Sequence, residues 1–389
     1  MTSSHRRAYV DWARGIAVLL MIEAHTSDAW TRLSPAVRRT IPFRDATVLG
    51  GFAAPLFLWL AGLAVVLAAT RAAERTGSRR AAVEMICRRG LEIFILGFLF
   101  RLQGFIITPG SHPVTLFRVD ILNIMGPAIA VAGLVWGLAR SATGRVLAYA
   151  ALAAVFAMVT PIVRIAPAVD LLPLWFQWYI RPFNEFTIFT LFPWAGFVFA
   201  GGAVGALIAA AREERAERRL HMILGAAGVA LVVIGFHTAG RPSIYASSNF
   251  WTSSPTWFAI RLGILMIALT VIYGCEVVYA ALKRRATQET EAQGFSPAGV
   301  DVAPAFSLAV DPLAVMGRNS LFIYWIHVEL VYGYASWGWR HRLPLWGTAV
   351  GFALFSILMF RAIGWRDVAV TKWRKRSSRA PQTTRAATA

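Results

Sequence analysis

Residues 47–70 read TVLGGFAAPLFLWLAGLAVVLAAT, a stretch without charged side chains that is long enough to cross the hydrocarbon core of a bilayer as one α-helix. Similar apolar windows recur along all 389 residues, whose mean hydropathy is +0.56. They predict helices at 12–30, 47–70, 90–107, 120–139, 146–163, 186–210, 220–237, 257–281, 313–334 and 343–364. The expected fold is therefore all-α, a polytopic transmembrane bundle of about ten helices.

Basic residues are concentrated in alternate connections between the apolar windows. The chain carries 39 Lys and Arg against 20 Asp and Glu, a formal net charge of +19. In a soluble protein this excess would suggest nucleic acid, but basic loops between membrane helices are the usual positive-inside signal. The larger basic segments share one side if both termini are cytoplasmic. We therefore predict cytoplasmic termini, a lipid bilayer as the partner and no nucleic acid, with the bacterial inner membrane as the expected location.

The apolar windows form a single predicted membrane domain over 8–364. Within it, residues 283–311 are rich in Glu, Gln, Ala, Pro and Gly and predict a flexible cytoplasmic loop. Residues 372–389 predict a disordered basic tail. Lipid-facing and subunit-facing helix surfaces have similar composition, so the sequence predicts no oligomeric state.

Motifs for metal or nucleotide binding are missing from the sequence. It has no HExxH, no paired CxxC, no Walker lysine loop and no GxGxxG after a strand. We therefore predict no metal cofactor, and an ATP-driven pump is disfavoured.

The first apolar window carries Arg14 and His25 on one helical face. The ten residues between them correspond to a rotation of about 1100°, roughly 20° from full turns, and to an axial separation of roughly 16 Å. If Arg14 lies at a membrane surface, His25 lies inside the bilayer, where an imidazole is expensive unless it is functional or paired. Asp28, one turn further, is placed to orient the ring. We predict His25 and Asp28 as catalytic residues. The alternatives for His25 are a satisfied polar residue between helices and a group at the outer interface, where water already reaches.

Basic residues near the cytoplasmic side are candidates for binding a phosphate. A guanidinium fork suits phosphate recognition, and Arg14 is joined on that side by Arg88 and Arg89. The alternatives are that Arg14 snorkels to lipid headgroups and that the basic loop is a topology or anionic-lipid signal.

Several further polar residues are predicted to lie in the middle or outer zone of the bundle. On the ninth window Ser320, Tyr324 and His327 form a polar stripe, which either joins helices or lines a wet cavity. Asp120 opens the fourth window, either as a helix cap or as a ligand for a sugar hydroxyl or amine. The predicted substrate-binding set comprises Arg101, Asp120, Tyr324, His327 and Glu329.

Five segments together resemble a known enzyme family. They are YVDWARGIAVLLMIEAH (9–25), GGFAAPLFLWLAGLAVVL (50–67), FRVDILNIMG (117–126), LFPWAGFVFAGGAVG (191–205) and MGRNSLFIYWIHVELVYG (316–333). Their order is similar to that of the catalytic domain of heparan-α-glucosaminide N-acetyltransferases, in the bacterial branch. The first segment also resembles the acyltransferase-3 group, whose arginine and histidine separated by ten residues are matched by Arg14 and His25.

The resemblance implies transfer of an acetyl or other acyl group from cytoplasmic acyl-CoA to an extracytoplasmic acceptor, commonly a sugar amine or hydroxyl. It maps His25 to the essential histidine and Arg14 to its partner. An envelope glycan, a lipid-linked sugar or a glycoside would fit as the acceptor. His25 would then remove the acceptor's proton or carry the acyl group itself.

Two other functional classes remain open from the sequence. A transporter or flippase for a small polar or glycan-linked substrate would use the same buried ions for coupling. A scaffold without catalytic activity would use them only to join helices.

Overall fold

The computed structural model describes residues 7–107, 112–293 and 312–377. Within these ranges the chain forms α-helices, short 3-10 turns and two isolated β-bridges, and no β-strand. The α-helices are α1 (Ala8–Trp30), α2 (Pro35–Arg38), α3 (Ile41–Gly50), α4 (Ala53–Thr76), α5 (Arg79–Ile107), α6 (Ile121–Leu138), α7 (Ala142–Ile165), α8 (Leu174–Ile180), α9 (Leu191–Ala210), α10 (Glu214–Ala239), α11 (Pro255–Gln293), α12 (312–318), α13 (Ser320–Tyr332) and α14 (Leu345–Ser377).

Eight helical segments of the described chain are long and apolar enough to cross a membrane. The prediction of an all-α, polytopic helical bundle is confirmed. The other two predicted windows also lie on helices, but α1 carries acidic and basic side chains along its length and α13 has only 13 residues. Both α1 and α13 pack against the longer helices. Polar side chains of α1 contact polar side chains of α13, an arrangement that keeps them away from lipid.

Helices α1 and α13 run in the same direction. The backbone of Gly15, early in α1, contacts Leu313 of α12, which leads into α13. At the other end of α1, Trp30 Nε1 donates to the carbonyl of Val331, 3.2 Å away. Of the eight candidate spans, only Leu345–Lys375 follows α13, so seven lie between α1 and α13. With seven membrane crossings between them, α1 and α13 run in the same direction. The prediction of ten helices also places seven helices between these two.

Carboxylates from α10 and α11 hold the start of α1. Glu276 accepts hydrogen bonds from the backbone N–H groups of Ala8 and Tyr9, at 3.0 and 3.2 Å. Glu217 accepts from Arg7 Nε and from the Tyr9 hydroxyl, both at 2.7 Å. The first N–H groups of a helix lack partners within the helix and favour negative charge, so these contacts fix where α1 begins.

Two predicted segments overlap helices of the structure. The first part of the loop expected at 283–311 is helical, because α11 continues to Gln293, and 294–311 lies outside the described residues. The first part of the tail expected at 372–389 is also helical, since α14 continues to Ser377, and 378–389 lies outside the described residues. Residues 283–293 are mostly Ala, Lys, Arg, Gln and Glu, which favour helix even where they are polar on all sides.

Helices α4 and α9 cross with their backbones in contact. A Cβ atom at Gly62 would overlap the carbonyl oxygen of Val198, and one at Gly201 would overlap that of Trp59. Gly201 and Gly205 form the small-residue spacing that allows membrane helices to approach closely. This crossing lies in the main hydrophobic core, which contains Trp59.

Replacing Gly201 by alanine is expected to lower stability by about 1 to 3 kcal/mol or more, because the added methyl group meets backbone that cannot move aside. Thermal unfolding of the purified protein in detergent would measure the effect. Gly274→Ala in α11 is the matched control, since a Cβ there meets nothing within 4 Å. An unchanged melting temperature for Gly201→Ala would contradict the crossing.

Candidate active site

Two histidines from opposite ends of the chain meet in the bundle. His25 Nδ1 on α1 lies 2.8 Å from His327 Nε2 on α13. The rings are within 7° of parallel, with centroids 5.0 Å apart. Because the nearest atoms are the two edge nitrogens at hydrogen-bond distance, the rings are joined end to end rather than stacked face to face. His327 is fully buried, whereas His25 is partly exposed.

The hydrogen bonds of His327 determine which nitrogen of His25 carries a proton. His327 Nδ1 lies 2.9 Å from the carbonyl of Ile323 and 3.0 Å from that of Tyr324. Carbonyl oxygens only accept, so this nitrogen is the donor. An imidazolium buried without a carboxylate partner is unfavourable, so His327 is neutral and its Nε2 accepts. His25 Nδ1 therefore donates, and its Nε2 keeps a free lone pair.

Asp28 contacts a tyrosine rather than the His25 ring. The Tyr332 hydroxyl donates to Asp28 Oδ2 at 2.8 Å, and the Tyr332 ring packs edge-on against His25 with centroids 5.6 Å apart. Asp28 is exposed. The group that hydrogen-bonds His25 is His327, not Asp28, and Asp28 is connected to the ring by the contact that Tyr332 makes with both.

An ion pair with a tyrosine lies next to the histidines. Arg101 Nη2 donates to Asp120 Oδ2 at 2.6 Å, and the Tyr324 hydroxyl donates to the same oxygen at 3.2 Å. Asp120 is also the N-cap of α6, where Oδ1 accepts from the Ile121 N–H at 2.5 Å and Asn123 Oδ1 accepts from the Asp120 N–H at 3.1 Å. Asp120 is therefore a helix cap, as one of its two interpretations predicted. Its interpretation as a ligand for a sugar hydroxyl or amine stays a prediction.

The ion pair and the histidine pair form one site. Tyr324 bonds Asp120 through its hydroxyl and accepts from His327 through its carbonyl, and the two rings have centroids 6.0 Å apart. Two buried donors beside Asp120, Arg101 Nε and Asn123 Nδ2, have no acceptor among the described residues. Both atoms are shielded from the surface, Asn123 Nδ2 by the backbone of α5 at Gly97, and an ordered water is the usual partner of such a buried donor.

Glu329 is a further carboxylate at the edge of the site. It is buried, its Oε1 lies against the backbone of Gly104 on α5, and its charge interacts with that of Arg101. The predicted residues Arg101, Asp120, Tyr324 and His327 are thus linked to His25 by successive contacts, and Glu329 lies on α5's side of α13, near Arg101. Asn123 and Tyr332 were not predicted to belong to the site. The pattern Asp-x-x-Asn, which is typical of a helix cap, could have identified Asn123. No spacing relative to His327 could have identified Tyr332.

The predicted phosphate-binding arginines lie apart from the histidines. Arg14 packs against Gly317, with Nη1 4.0 Å from Asp11 Oδ1. Because α1 is helical from Ala8 to Trp30, Arg14 and His25 keep the expected axial separation of roughly 16 Å. Arg88 and Arg89 are exposed on α5, where Arg89 Nη1 pairs with Glu92 at 3.1 Å.

Comparison with protein families identifies the chain's family. A family model described as "Heparan-alpha-glucosaminide N-acetyltransferase, catalytic" matches residues 6–246, more than half of the chain. The interval includes Arg14, His25 and Asp120 but ends before α13 and His327. A search of curated proteins finds no significant match.

Proposed function

Because this chain belongs to the heparan-α-glucosaminide N-acetyltransferase catalytic family, we propose that it moves an acetyl or other acyl group from cytoplasmic acyl-CoA to an acceptor across the membrane. Family membership and the helical architecture make it a multi-pass membrane protein of the acyltransferase type. The donor, the acceptor and the role of His25 belong to the proposal. So does its orientation in a bacterial inner membrane with cytoplasmic termini.

The 2.8 Å contact between His25 Nδ1 and His327 Nε2 is the observation that carries the proposal. The tautomer inferred from it leaves His25 Nε2 unprotonated, and an unprotonated imidazole nitrogen can accept a proton or an acyl group. Desolvation of the His25 ring disfavours an imidazolium, and the charges of Asp120 and Asp28 offset part of that cost when the ring takes up a proton.

In the direct route, His25 Nε2 removes the proton of an acceptor amine or hydroxyl as that group attacks the thioester carbonyl carbon. The new C–N or C–O bond forms, the C–S bond breaks, and the imidazolium returns the proton to the thiolate, releasing the coenzyme A thiol. In the two-step route, Nε2 attacks the thioester carbonyl carbon, the C–S bond breaks and coenzyme A leaves as the thiolate; the acceptor then attacks the acyl carbon, the bond to Nε2 breaks, and the acceptor's proton passes to the thiolate. Both routes need His25 in the tautomer that His327 selects.

Polar groups beside the histidines support a hydroxyl-rich or amine-bearing acceptor. The guanidinium of Arg101 supplies hydrogen-bond donors, and the carboxylates of Asp120 and Glu329 supply acceptors for hydroxyl or ammonium hydrogens. A sugar of an envelope glycan or glycoside carries both kinds of group. We propose an acceptor of this class.

The experiment that tests the proposed function is release of coenzyme A thiol from acetyl-CoA by the purified protein, with a panel of amino sugars and envelope glycans as acceptors. Release that depends on an acceptor is the expected result. Reconstituted vesicles that take up or flip a glycan without consuming acetyl-CoA would overturn it in favour of a transporter or flippase.

Replacing His327 by leucine is expected to lower acyl transfer by about 10- to 100-fold, as loss of a supporting hydrogen-bond partner does at other sites. Leucine fills the buried space but offers His25 Nδ1 no acceptor. His327→Gln presents an amide oxygen and is expected to restore most of the rate. Nitrogen-15 NMR of histidine-labelled protein checks the cause, since His25 should be protonated at Nδ1 only when residue 327 accepts. Equal rates in the leucine and glutamine variants would contradict the positioning role.

A further inference from the structure

A cavity of about 300 Å³ lies beside the end of α1 that carries His25. The residues that line it belong to the connection between α13 and α14 (333–344), and they are Gly333, Trp337, Arg340, His341 and Arg342. The volume is at the lower end of the range for small-molecule sites. All five residues lie beyond residue 246, where the family match ends, so the match assigns nothing to this cavity.

Backbone hydrogen bonds hold this connection on the end of α1. The N–H of His341 donates to the carbonyl of Ala29 at 2.9 Å, and the N–H of Leu343 donates to that of Trp30 at 3.0 Å. Carbonyls in the last turn of a helix have no partner within it. His341 has a φ of 55°, a left-handed conformation that is uncommon outside glycine, and its hydrogen bond to Ala29 holds it there. The arginines on either side of His341 are therefore carried by backbone that α1 fixes in place.

The guanidinium groups at this cavity lack carboxylate partners. Arg342 Nη1 donates to the carbonyl of Gly338 at 3.1 Å, and Nη2 of the neighbouring Arg32 donates to the carbonyl of Arg342 at 3.3 Å. Neither these arginines nor Arg340 form an ion pair with a carboxylate of the described residues. All three arginines are exposed. Positive charge that is not neutralised in a concave site attracts anions, and a guanidinium fork suits carboxylates and phosphates.

The usual reason for clustered basic residues in a membrane protein does not account for this cluster. The positive-inside rule places the excess of Lys and Arg on the cytoplasmic side. In the proposed orientation the connection between α13 and α14 lies on the opposite side, because it contacts the end of α1 that is one helix length from the cytoplasmic N-terminus. The cluster therefore needs another explanation, which an anionic ligand provides.

Tyr332 connects the cavity to His25. It directly precedes Gly333 of the cavity wall, and its ring packs edge-on against His25 with centroids 5.6 Å apart. The charge of Arg340 acts on the Tyr332 hydroxyl, which donates to Asp28. A guanidinium that acts on this hydroxyl lies close enough to His25 for a single acceptor molecule to contact both.

We propose that this cavity binds an anionic substituent of the acyl acceptor, a carboxylate or a phosphate, and that Arg340 and Arg342 select for its charge. The inference rests on the proposed function and narrows the acceptor from sugars in general to acidic sugars. Trp337 offers an aromatic surface beside the arginines, since one face of its ring stacks on Tyr334 with centroids 5.8 Å apart while the residue remains 57% exposed.

The headgroup of an anionic phospholipid is the alternative occupant. It offers phosphate to the same arginines, but it has no need of a position beside Tyr332 and His25. We assign the cavity to the acceptor because its wall continues directly into the residue that contacts the His25 ring.

The test compares glucosamine with two acidic relatives that keep the same amine: glucosamine 6-phosphate, and muramic acid, whose lactyl ether carries a carboxylate. With acetyl-CoA as donor, kcat/KM for at least one acidic sugar is expected to exceed that for glucosamine by about tenfold or more, the range of a charge-assisted hydrogen bond. Arg340→Gln and Arg342→Gln should each lower this preference by about tenfold. Arg340→Lys keeps the charge and should recover part of it. The two acidic sugars distinguish phosphate from carboxylate.

Arg44→Gln is the matched control. Arg44 lies on α3, which packs against the His25 half of α1 through Gly50, and it is 69% exposed and pairs with its neighbour Asp45. Its loss removes an arginine from the same end of the bundle without touching the cavity, so the preference should not change.

Calorimetric titration with the acidic sugars gives a readout that does not depend on transfer. Weaker binding by both glutamine variants, with Arg44→Gln unchanged, supports the site. Equal use of acidic and neutral sugars by the unmodified protein, or an unchanged preference in the variants, overturns it and leaves the proposed acyl transfer intact. Loss of co-purified anionic phospholipid with an unchanged preference assigns the arginines to lipid. If no acceptor is acetylated, the proposed function fails, and the titration alone decides whether the cavity binds an acidic sugar.

Discussion

Replacing His25 by asparagine is expected to lower acyl transfer by about 10²- to 10⁴-fold, the usual contribution of a general base. The asparagine amide nitrogen occupies nearly the position of His25 Nδ1 and can still donate to His327 Nε2. The hydrogen bond that joins α1 to α13 is therefore kept, while the ring nitrogen that accepts the proton or acyl group is removed. Release of coenzyme A thiol with a saturating acceptor measures the loss.

The same variant distinguishes the two chemical routes. Incubation with acetyl-CoA labelled in the acetyl group, without acceptor, should label the unmodified protein only in the two-step route, and that label should disappear in His25→Asn. Direct transfer predicts no label in either protein. Transfer by a folded His25→Asn at the unmodified rate would remove His25 from the mechanism.

Replacing Asp120 by alanine is expected to lower the free energy of unfolding by about 3 to 5 kcal/mol, because it leaves a buried arginine without its partner. The side chains of Arg101 and Asp120 are only 17% and 7% exposed, so water compensates little for the lost carboxylate. The change also removes the N-cap of α6, which adds about 1 kcal/mol. Denaturant-induced unfolding in a fixed detergent would measure the loss.

Two further variants separate the ion pair from the cap. Asp120→Asn keeps a capping oxygen and loses the charge, so its effect should be smaller than that of alanine by about the value of a cap. Arg101→Met combined with Asp120→Ala removes both charges and should recover part of the stability lost by Asp120→Ala alone. If the double variant loses more free energy of unfolding than the two single variants lose together, the ion pair does not stabilise the protein.

The helical architecture could be predicted because each membrane span is a local property of the sequence. A charge-free stretch such as 47–70 requires no distant partner to be identified as a helix. The boundaries of α11 and α14 were less predictable, since polar helix formers extend a helix beyond its apolar part. The candidate residues of the site were also identifiable one by one, because ionisable groups within apolar windows are unusual.

The pairing of those residues could not be predicted from spacing. His25 and His327 are 302 positions apart, and nothing in either helix specifies that the other supplies its hydrogen bond. Asp28 was the local candidate to orient His25 because it lies one turn away, yet its partner is Tyr332. Arg340 and Arg342 lie in a connection between helices, and the cavity that they line is placed beside His25 only once that connection has packed on the end of α1.

The pairing of α1 with α13 has a consequence for biosynthesis. At about 5 to 20 residues per second, the ribosome needs roughly 15 to 60 s to make the 302 positions that separate His25 from His327. During that interval α1 carries His25 and Asp28 before α13, the helix that holds their partners, exists. The first helix to emerge is thus among the last to reach its final environment, and a chain truncated after α11 would insert its spans without ever assembling the histidine pair.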